Sequence, residues 1–202
     1  MPEKKIYEYN IKNASYSFDG TTVKKIGHSD ALTLEVDYTE ANKYGDGYII
    51  DTLPSDKGFT GTMSLATINE EYDIDCGRKM VIDDGAVVDI PILSLVKHSI
   101  YFETTSKEPG VKGVTKKTWL LGVTSGAIST NLSQTTDTVN ANVYSIPIKS
   151  MGTNLKQEDG LKDYIDSNGN TIVVRKISSL PGDAGYDTFG DAVPVPKKTV
   201  VV

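Results

Sequence analysis

The stretch KGFTGTMSLATINEEYDIDCGRKM, residues 57–80, changes its periodicity in the middle. In the first half, apolar and polar residues alternate, and Phe59, Gly61, Met63 and Leu65 fall on one side. This period of two is typical of a half-buried β-strand. The second half abandons the alternation, so the stretch predicts a strand that leads directly into a different element.

That second half predicts a short amphipathic helix over about residues 69–80. Asn69 is a good N-cap, and Glu70 and Glu71 follow it in the first turn, where the helix dipole favours carboxylates. One helical face is spaced four residues apart and consists of Tyr72, Cys76 and Met80. Gly77 weakens the helix and is a point at which it can end early. Cys76 is best explained as a small apolar core residue, since neither His28 nor His98 lies near it in sequence to act as a base.

Most of the remaining chain predicts β-strands in neighbouring hairpins. The clearest are ALTLEVDYTE (31–40), SLVKHSIYFETTS (94–106) and KKTWLLGVTSGAIS (116–129), and Asn168-Gly169 between two β-rich runs is a strong hairpin signal. About nine strands, one helix and no internal repeat favour a mainly β fold. We therefore expect an antiparallel β-sandwich or barrel with one flanking α-helix. Residues 1–178 form the predicted domain.

Residues 40–57 interrupt the alternation with a long connection that is rich in acids and contains Gly and Pro. Its apolar residues are Tyr44, Tyr48, Ile49, Ile50 and Leu53. Two interpretations remain open. The segment is either a long hairpin or mobile loop without further role, or an arm whose apolar side chains are buried against another subunit.

Residues 179–202 form a predicted C-terminal extension, because Gly, Pro and Asp are dense there. Tyr186 and Phe189 offer apolar anchors, and the final residues 199–202 have high β propensity. We expect an arm that is mobile in the free subunit and lies along its own body or a neighbour after assembly. Tyr186 and Phe189 thus join the five residues of 40–57 as candidate interface residues.

Composition excludes several functional classes. The formal net charge of −6 argues against nucleic-acid binding through clustered Lys and Arg. No apolar run reaches the length of a membrane-spanning helix, and the N-terminus lacks the apolar region of a secretory signal. The single cysteine allows no internal disulfide. These features predict a soluble protein that is made in a cytoplasm.

No pattern indicates catalysis, so no catalytic, cofactor-binding or metal-binding residue is predicted and the chain is expected not to be an enzyme. Dinucleotide, Walker, zinc and nucleophile-elbow motifs are absent from the sequence. Asp166, Asn168 and Asn170 imitate the start of a calcium loop, but Thr171 and Ile177 stand where Gly and Glu are needed, so a hairpin turn is favoured. The acidic residues Asp73, Asp75, Asp83 and Asp84 are attributed to a helix end and a turn.

The order of the elements resembles that of a known family. The strand GFTGTMSL (58–65) runs into an acidic helix start, and the turn and strand DDGAVVDI (83–90) and the long strand HSIYFETTS (98–106) follow. With ALTLEVDY before them, these elements resemble the major tail proteins of long non-contractile-tailed phages of Gram-positive hosts. The resemblance covers about residues 5–150.

The resemblance implies a tail-tube subunit: a β-sandwich with a flanking helix that assembles as stacked hexameric rings around a DNA channel. It also implies a location in the virion tail after assembly in the host cytoplasm. The implied partners are further copies of the chain, the tape measure protein in the lumen, and the tail terminator and baseplate proteins. DNA would pass without specific binding, which suits an acidic wall.

Rival interpretations belong to other classes. A surface-binding β-sandwich module would be expected to carry a signal peptide and an exposed aromatic platform. Another tail or baseplate structural protein would share the fold without forming long tubes. Polymerisation into tubes therefore separates the favoured interpretation from both.

Overall fold

The computed structural model describes residues 7–107, 110, 112–131 and 143–198. Strands dominate these residues, and the only α-helix among them is short, which confirms the predicted mainly β class. The strands in chain order are β1 (Tyr7–Ser17), β2 (Lys24–Lys25), β3 (Gly27–Gly45), β4 (Tyr48–Ile68), β5 (Lys79–Val81), β6 (Val87–Asp89), β7 (His98–Lys107), β8 (Val114–Ser125), β9 (Ser129–Asn131), β10 (Val143–Ser150), β11 (Thr153–Asn154), β12 (Lys156–Gln157), β13 (Val173–Val174), β14 (Lys176–Ser179) and β15 (Lys197–Lys198). The helix α1 covers Glu70–Asp75.

The main sheet is antiparallel and closes on itself. Its strand order is β2-β1-β7-β8-β10-β4-β3, so β2 and β3 lie at the two ends of the path. Only Ile26 separates these two strands in the chain. Its backbone N–H donates to Ala14 of β1, and its carbonyl accepts from Asn69 just beyond β4. One continuous segment therefore joins both ends of the path, and the sheet curls into a barrel, as the predicted sandwich or barrel allows.

The barrel interior is an apolar core to which the strands and α1 contribute. Its buried members are Ala14, Tyr16, Ile26, Met63, Leu65, Tyr72, Cys76, Ile100, Phe102, Leu120, Val123, Ile146 and Ile148. Met63 and Leu65 lie on the side that the alternation in residues 57–65 predicts. Burying one such side chain contributes roughly 1.5–3 kcal/mol, so the interior supplies most of the driving force for folding.

A second apolar cluster lies on the outer face of β8. Trp119 and Leu121 alternate with the inward-facing Leu120 and pack against Tyr101, Val174, Ile177 and Phe189. The middle of β8 is buried on both faces, which agrees with its apolar run WLLGV at residues 119–123. The covering layer comes from residues 153–198, in which β14 pairs with β8, β11 with β13 and β12 with β15.

The predicted hairpin turn at Asn168-Gly169 is confirmed. An isolated bridge joins Ile165 to Thr171, and Asp166 Oδ1 accepts the backbone N–H groups of Asn168 and Asn170. The carboxylate that imitates a calcium ligand is thus used to hold the turn.

Helix α1 starts where the sequence predicts and ends earlier. The Asn69 side chain accepts from the N–H of Glu71, whereas Gly77 adopts a left-handed φ of 70° just beyond the C-cap residue Cys76. The predicted helix over 69–80 is therefore too long. Met80 lies in β5 with 45% of its surface exposed, so it is not on a buried helical face. Among the described residues, none lies in a helix that is long and apolar enough to cross a membrane.

The segment 40–57 is the distal part of the β3–β4 hairpin. Cross-strand pairing continues from Val36 and Phe59 out to Gly45 and Tyr48. Asp46 and Gly47 form the two-residue turn with φ values of 51° and 83°, as a type I′ turn requires. Of the structures considered for this segment, the long hairpin is the one found. The predicted strand 94–106 begins only at His98, and residues 90–97 are irregular.

Candidate assembly surface

A buried polar cluster closes the end of the barrel that α1 covers. The Tyr72 hydroxyl lies 3.0 Å from His98 Nε2 and 3.1 Å from Ser125 Oγ. His98 Nδ1 lies 3.1 Å from the carbonyl oxygen of Val96, which can only accept. The neutral ring therefore carries its proton on Nδ1, and its unprotonated Nε2 faces the Tyr72 hydroxyl. Burial lowers the pKa of His98 to about 4, so this ring is neutral at physiological pH.

Arg78 connects this cluster to α1. Its Nε donates to Asp73 Oδ1 at 2.8 Å, and its Nη1 donates to Ser125 Oγ at 3.0 Å and to the carbonyl of Gly126 at 3.1 Å. Both charged side chains are buried, with 7% and 6% of their surfaces exposed. The guanidinium also lies over the Tyr72 ring, 4.8 Å from its centroid. These contacts fix α1 and the chain after it onto the barrel.

The contacts within this cluster have a structural role. Cys76 Sγ is 3.6 Å from Ser125 Oγ, and burial raises the pKa of its thiol, which keeps the thiol protonated. The interpretation of Cys76 as a core residue is thereby confirmed. Trp119 and His98 are likewise buried strand residues.

The acidic residues near α1 are engaged with the protein itself. Asp75 accepts from the Tyr16 hydroxyl at 2.7 Å and from Lys24 Nζ at 2.8 Å. Asp84 accepts the backbone N–H of Ala86 in the turn between β5 and β6. Within the described part of the chain, no group of three or more His, Cys, Asp or Glu side chains is arranged to hold a metal ion.

The tip of the β3–β4 hairpin is the apolar surface that the sequence singled out. We define the tip by the five candidate residues, whose exposed fractions are Tyr44 66%, Tyr48 78%, Ile49 55%, Ile50 67% and Leu53 55%. All five lie on the distal part of the β3–β4 hairpin, on both faces of its two-stranded ribbon, because successive strand residues such as Ile49 and Ile50 point to opposite faces. Ile50 lies across Gly45, in the space that a Cβ at position 45 would occupy. A cluster of this size on a projecting element is typical of a contact surface.

Ion pairs fix the hairpin where it leaves the barrel. Arg175 Nη1 donates to Asp56 Oδ2 at 2.6 Å, and Lys149 Nζ lies 3.4 Å from Asp37 Oδ2. The two pairs tie β4 to the segment after β13 and β3 to β10. The tip is therefore held away from the barrel by its base, while its own side chains remain uncovered.

No protein-family model matches this chain, and no curated protein matches it. Among solved structures, the fold is similar to the anti-feeding prophage cap, described as the AFP tube terminating cap. The TM-score is 0.41 and the identity 13%, and the match covers 86% of this chain and 92% of that one. The anti-feeding prophage baseplate, 6-fold symmetrised, is similar at a TM-score of 0.33 and 6% identity, over 74% and 91% of the two chains. At these TM-scores neither likeness bears on the function of this chain.

Tyr186 and Phe189 lie on a different surface from the tip. The Tyr186 hydroxyl donates to the carbonyl of Thr115 at 2.8 Å, and Trp119 Nε1 donates to the carbonyl of Phe189 at 2.8 Å. Lys117 Nζ donates to the carbonyls of Tyr186 and Asp187 at 2.8 and 3.0 Å. Both aromatic rings are half-buried against their own chain. A role for them between subunits stays a prediction, as does the boundary at 179, and residues 199–202 lie outside the described part.

Two features of the structure were not predicted from the sequence: the turn at Asp46-Gly47 and the irregular segment 91–97. Asp46-Gly47 is a strong two-residue hairpin signal and would have identified the hairpin within 40–57. Residues 91–97, PILSLVK, are irregular and exposed, and 93% of Leu93 is exposed. Four large apolar residues without clear alternation, just after a proline, were the signal that this segment differs from the strand that follows.

Proposed function

We propose that this chain is a structural virion protein that polymerises as stacked hexameric rings into a phage tail tube. The observation that carries the proposal is the hairpin tip, because five large apolar side chains sit on a projecting element whose base is fixed to the barrel. Exposed apolar clusters of this kind mark contact surfaces. The ring number and the tube come from the resemblance of residues 5–150 to phage major tail proteins.

The proposed role is structural and not enzymatic. The buried cluster at the α1 end supports this, because its histidine is engaged by Tyr72 and its cysteine is 5% exposed. An assembled tube would place the acidic chain around a channel through which DNA passes, and a net charge of −6 disfavours retention of phosphate. Its partners would be further copies, the tape measure protein, and the terminator and baseplate proteins of a virion tail assembled in the host cytoplasm.

Electron microscopy of the purified protein at high concentration tests the proposal. Tubes or six-fold rings are expected for the wild type. Ile49→Asp together with Ile50→Asp should abolish them, since each buried apolar side chain contributes roughly 1.5–3 kcal/mol and a carboxylate there would be desolvated. Leu161→Asp is a matched control, because Leu161 is 82% exposed outside the tip.

Circular dichroism of the same variants separates assembly from folding. The doubly substituted chain should keep the spectrum of the wild type. Loss of that spectrum would place Ile49 and Ile50 in the core and end the arm hypothesis. A five-fold ring, or a chain that is strictly monomeric in the virion, would contradict the tube, and short non-tubular assemblies would favour a tail-completion or baseplate role.

A further inference from the structure

The turn at Asn168-Gly169 combines a reactive sequence with open surroundings. No other Asn in the sequence precedes Gly. Because Gly has no Cβ, its backbone nitrogen can approach the side-chain carbonyl carbon of the preceding Asn without obstruction. An Asn-Gly pair is therefore the place in a chain where an asparagine amide is attacked most readily by its own backbone.

The structure leaves this pair accessible. Asn168 and Gly169 are both exposed, and a Cβ added at Gly169, where φ is 83°, would meet no atom within 4 Å. Among the described residues, none hydrogen-bonds to the side-chain amide of Asn168, although its backbone N–H is engaged by Asp166. The side chain of Asn154, by contrast, donates to Asp163 Oδ2 at 2.8 Å. The Asn168 amide is thus free to react.

The same turn restrains the nitrogen that would attack this amide. Gly169 N donates to the carbonyl of Asp166 at 3.1 Å, and Asp166 N donates to the carbonyl of Asn170 at 2.9 Å. Asp166 Oδ1 also accepts the backbone N–H groups of Asn168 at 2.9 Å and Asn170 at 2.8 Å. These hydrogen bonds, with the one from Asn170 first, lower the pKa of Asp166, so its carboxylate is ionised at neutral pH.

We propose that Asn168 is a site of spontaneous deamidation, and that Asp166 slows the reaction in the folded chain by holding the turn closed. Gly169 N gives its proton to solvent and attacks Asn168 Cγ, which closes a succinimide ring as the Cγ–Nδ2 bond breaks and ammonia leaves. Water then opens the ring at either carbonyl and gives aspartate or isoaspartate. Water is the only co-reactant. This inference goes beyond the proposed function and does not depend on it.

Either product should loosen the turn from which it forms. The added carboxylate changes the formal net charge by −1, from −6 to −7, and lies two residues from Asp166, whose like charge repels it. Isoaspartate also lengthens the backbone by one atom, inside the loop that Gly169 N closes on the carbonyl of Asp166. The bridge between Ile165 and Thr171 should weaken in consequence.

Peptide mapping by mass spectrometry tests the site. The full chain is incubated at mildly alkaline pH, folded in one sample and unfolded in guanidinium chloride in the other, and conversion at position 168 is followed with time. Conversion should be slower in the folded chain, because the turn must open before Gly169 N can attack. An unfolded chain that does not convert would overturn the site, and equal rates in both samples would overturn the protection by the turn.

Two aspartate variants test the role of Asp166. Asp166→Ala should speed conversion in the folded chain by about tenfold, as expected when a hydrogen bond to a charged acceptor is lost. Asp159→Ala is the matched control, because Asp159 Oδ1 accepts the backbone N–H groups of Leu161 and Lys162 in a neighbouring turn that contains no Asn. Equal rates for these two variants would overturn the role of Asp166.

Further variants keep the test decisive. If circular dichroism shows that Asp166→Ala does not fold, Asp166→Ser replaces it, since the hydroxyl is a weaker acceptor for the same backbone groups and an intermediate rate is expected. A wild-type rate for that variant would likewise overturn the role of Asp166. Asn168→Gln should abolish the slow acidic shift of the unfolded chain in isoelectric focusing, and persistence of that shift would place the reaction elsewhere. Tube formation does not enter these measurements, so this inference and the proposed function can fail separately.

Discussion

Two segments of this protein have similar composition and opposite structural roles. Residues 40–57 and 179–202 are both rich in Gly and Asp, and each carries aromatic residues. The second segment packs on the apolar outer face of β8 in its own chain, where Trp119 donates to the carbonyl of Phe189. The first forms the distal part of the β3–β4 hairpin, contacts the rest of the chain at its base through Asp56 and Arg175, and carries five exposed apolar side chains. Composition therefore indicates that a segment lies outside the core. Whether the segment packs on its own chain depends on whether that chain offers an apolar surface that fits it.

Truncation before Leu180 should show the largest difference between the two segments. It uncovers Trp119, Tyr101 and Leu121, and at roughly 1.5–3 kcal/mol per side chain the three together should lower the free energy of unfolding by about 4.5–9 kcal/mol. The Ile49→Asp and Ile50→Asp chain should lose almost nothing in the same urea titration. Equal losses in the two chains would show that the hairpin tip is part of the folded core after all.

The sequence predicts the strands and the helix better than it predicts which segments pack over them. The alternation of Met63 and Leu65 and the cap at Asn69 are local signals, and both are confirmed. The run Trp119-Leu120-Leu121 indicates burial on both faces, but nothing local identifies residues about 60–70 positions later as the cover.

The candidate surface was predictable only in part. The five apolar tip residues were identified from the sequence, whereas their arrangement needed the Asp46-Gly47 turn to be recognised. Residues 94–97 are predicted as the start of the strand 94–106 because Val96, His98 and Ile100 alternate. The observed strand β7 begins only at His98, which contacts Tyr72, and contacts between residues so far apart are not encoded in local periodicity.

Lowering the pH should reduce the free energy of unfolding of the barrel through His98, which lies in neither of the two segments. His98 titrates with a pKa of about 4 in the fold against about 6.5 when unfolded, so the unfolded chain binds the proton more readily between these values. Stability is therefore full above about pH 6.5 and falls as the pH is lowered towards 4, by roughly 3 kcal/mol. His98→Gln should flatten this part of the pH profile in chemical denaturation. An unchanged slope in that variant would assign the effect to other groups.

Lys117→Met tests how the C-terminal segment is held. Methionine keeps the apolar stem but loses the ammonium donors to the carbonyls of Tyr186 and Asp187, along with the cation over the Tyr186 ring. A loss of about 1–3 kcal/mol is expected for hydrogen bonds from a charged donor. Limited proteolysis between 179 and 198 should become faster in the free chain. Protection of the same sites after assembly would indicate that neighbours also cover this segment, and identical cleavage of the variant and wild type would show that Lys117 does not hold it.

Arg175→Gln should have the smallest effect on stability and a local effect on the hairpin. The Arg175 guanidinium, with the N–H of Gly58, holds the pKa of Asp56 below its ordinary value. A carboxylate with a depressed pKa stabilises the fold above its unfolded pKa, near 4, and loses that contribution as the pH falls through the folded value. An exposed pair of this kind contributes little to global stability.

The Arg175–Asp56 pair does fix the direction of the hairpin, so hydrogen exchange at the backbone amides of residues 36–57 should quicken in the variant at neutral pH. Wild type should show the same change only below about pH 4, where Asp56 becomes protonated. Lys149→Gln removes the other ion pair at the base and should have the same local effect. If neither substitution alters exchange in the hairpin, its direction is set by strand pairing alone, and the tip would be free to reach a partner over a wider range of angles.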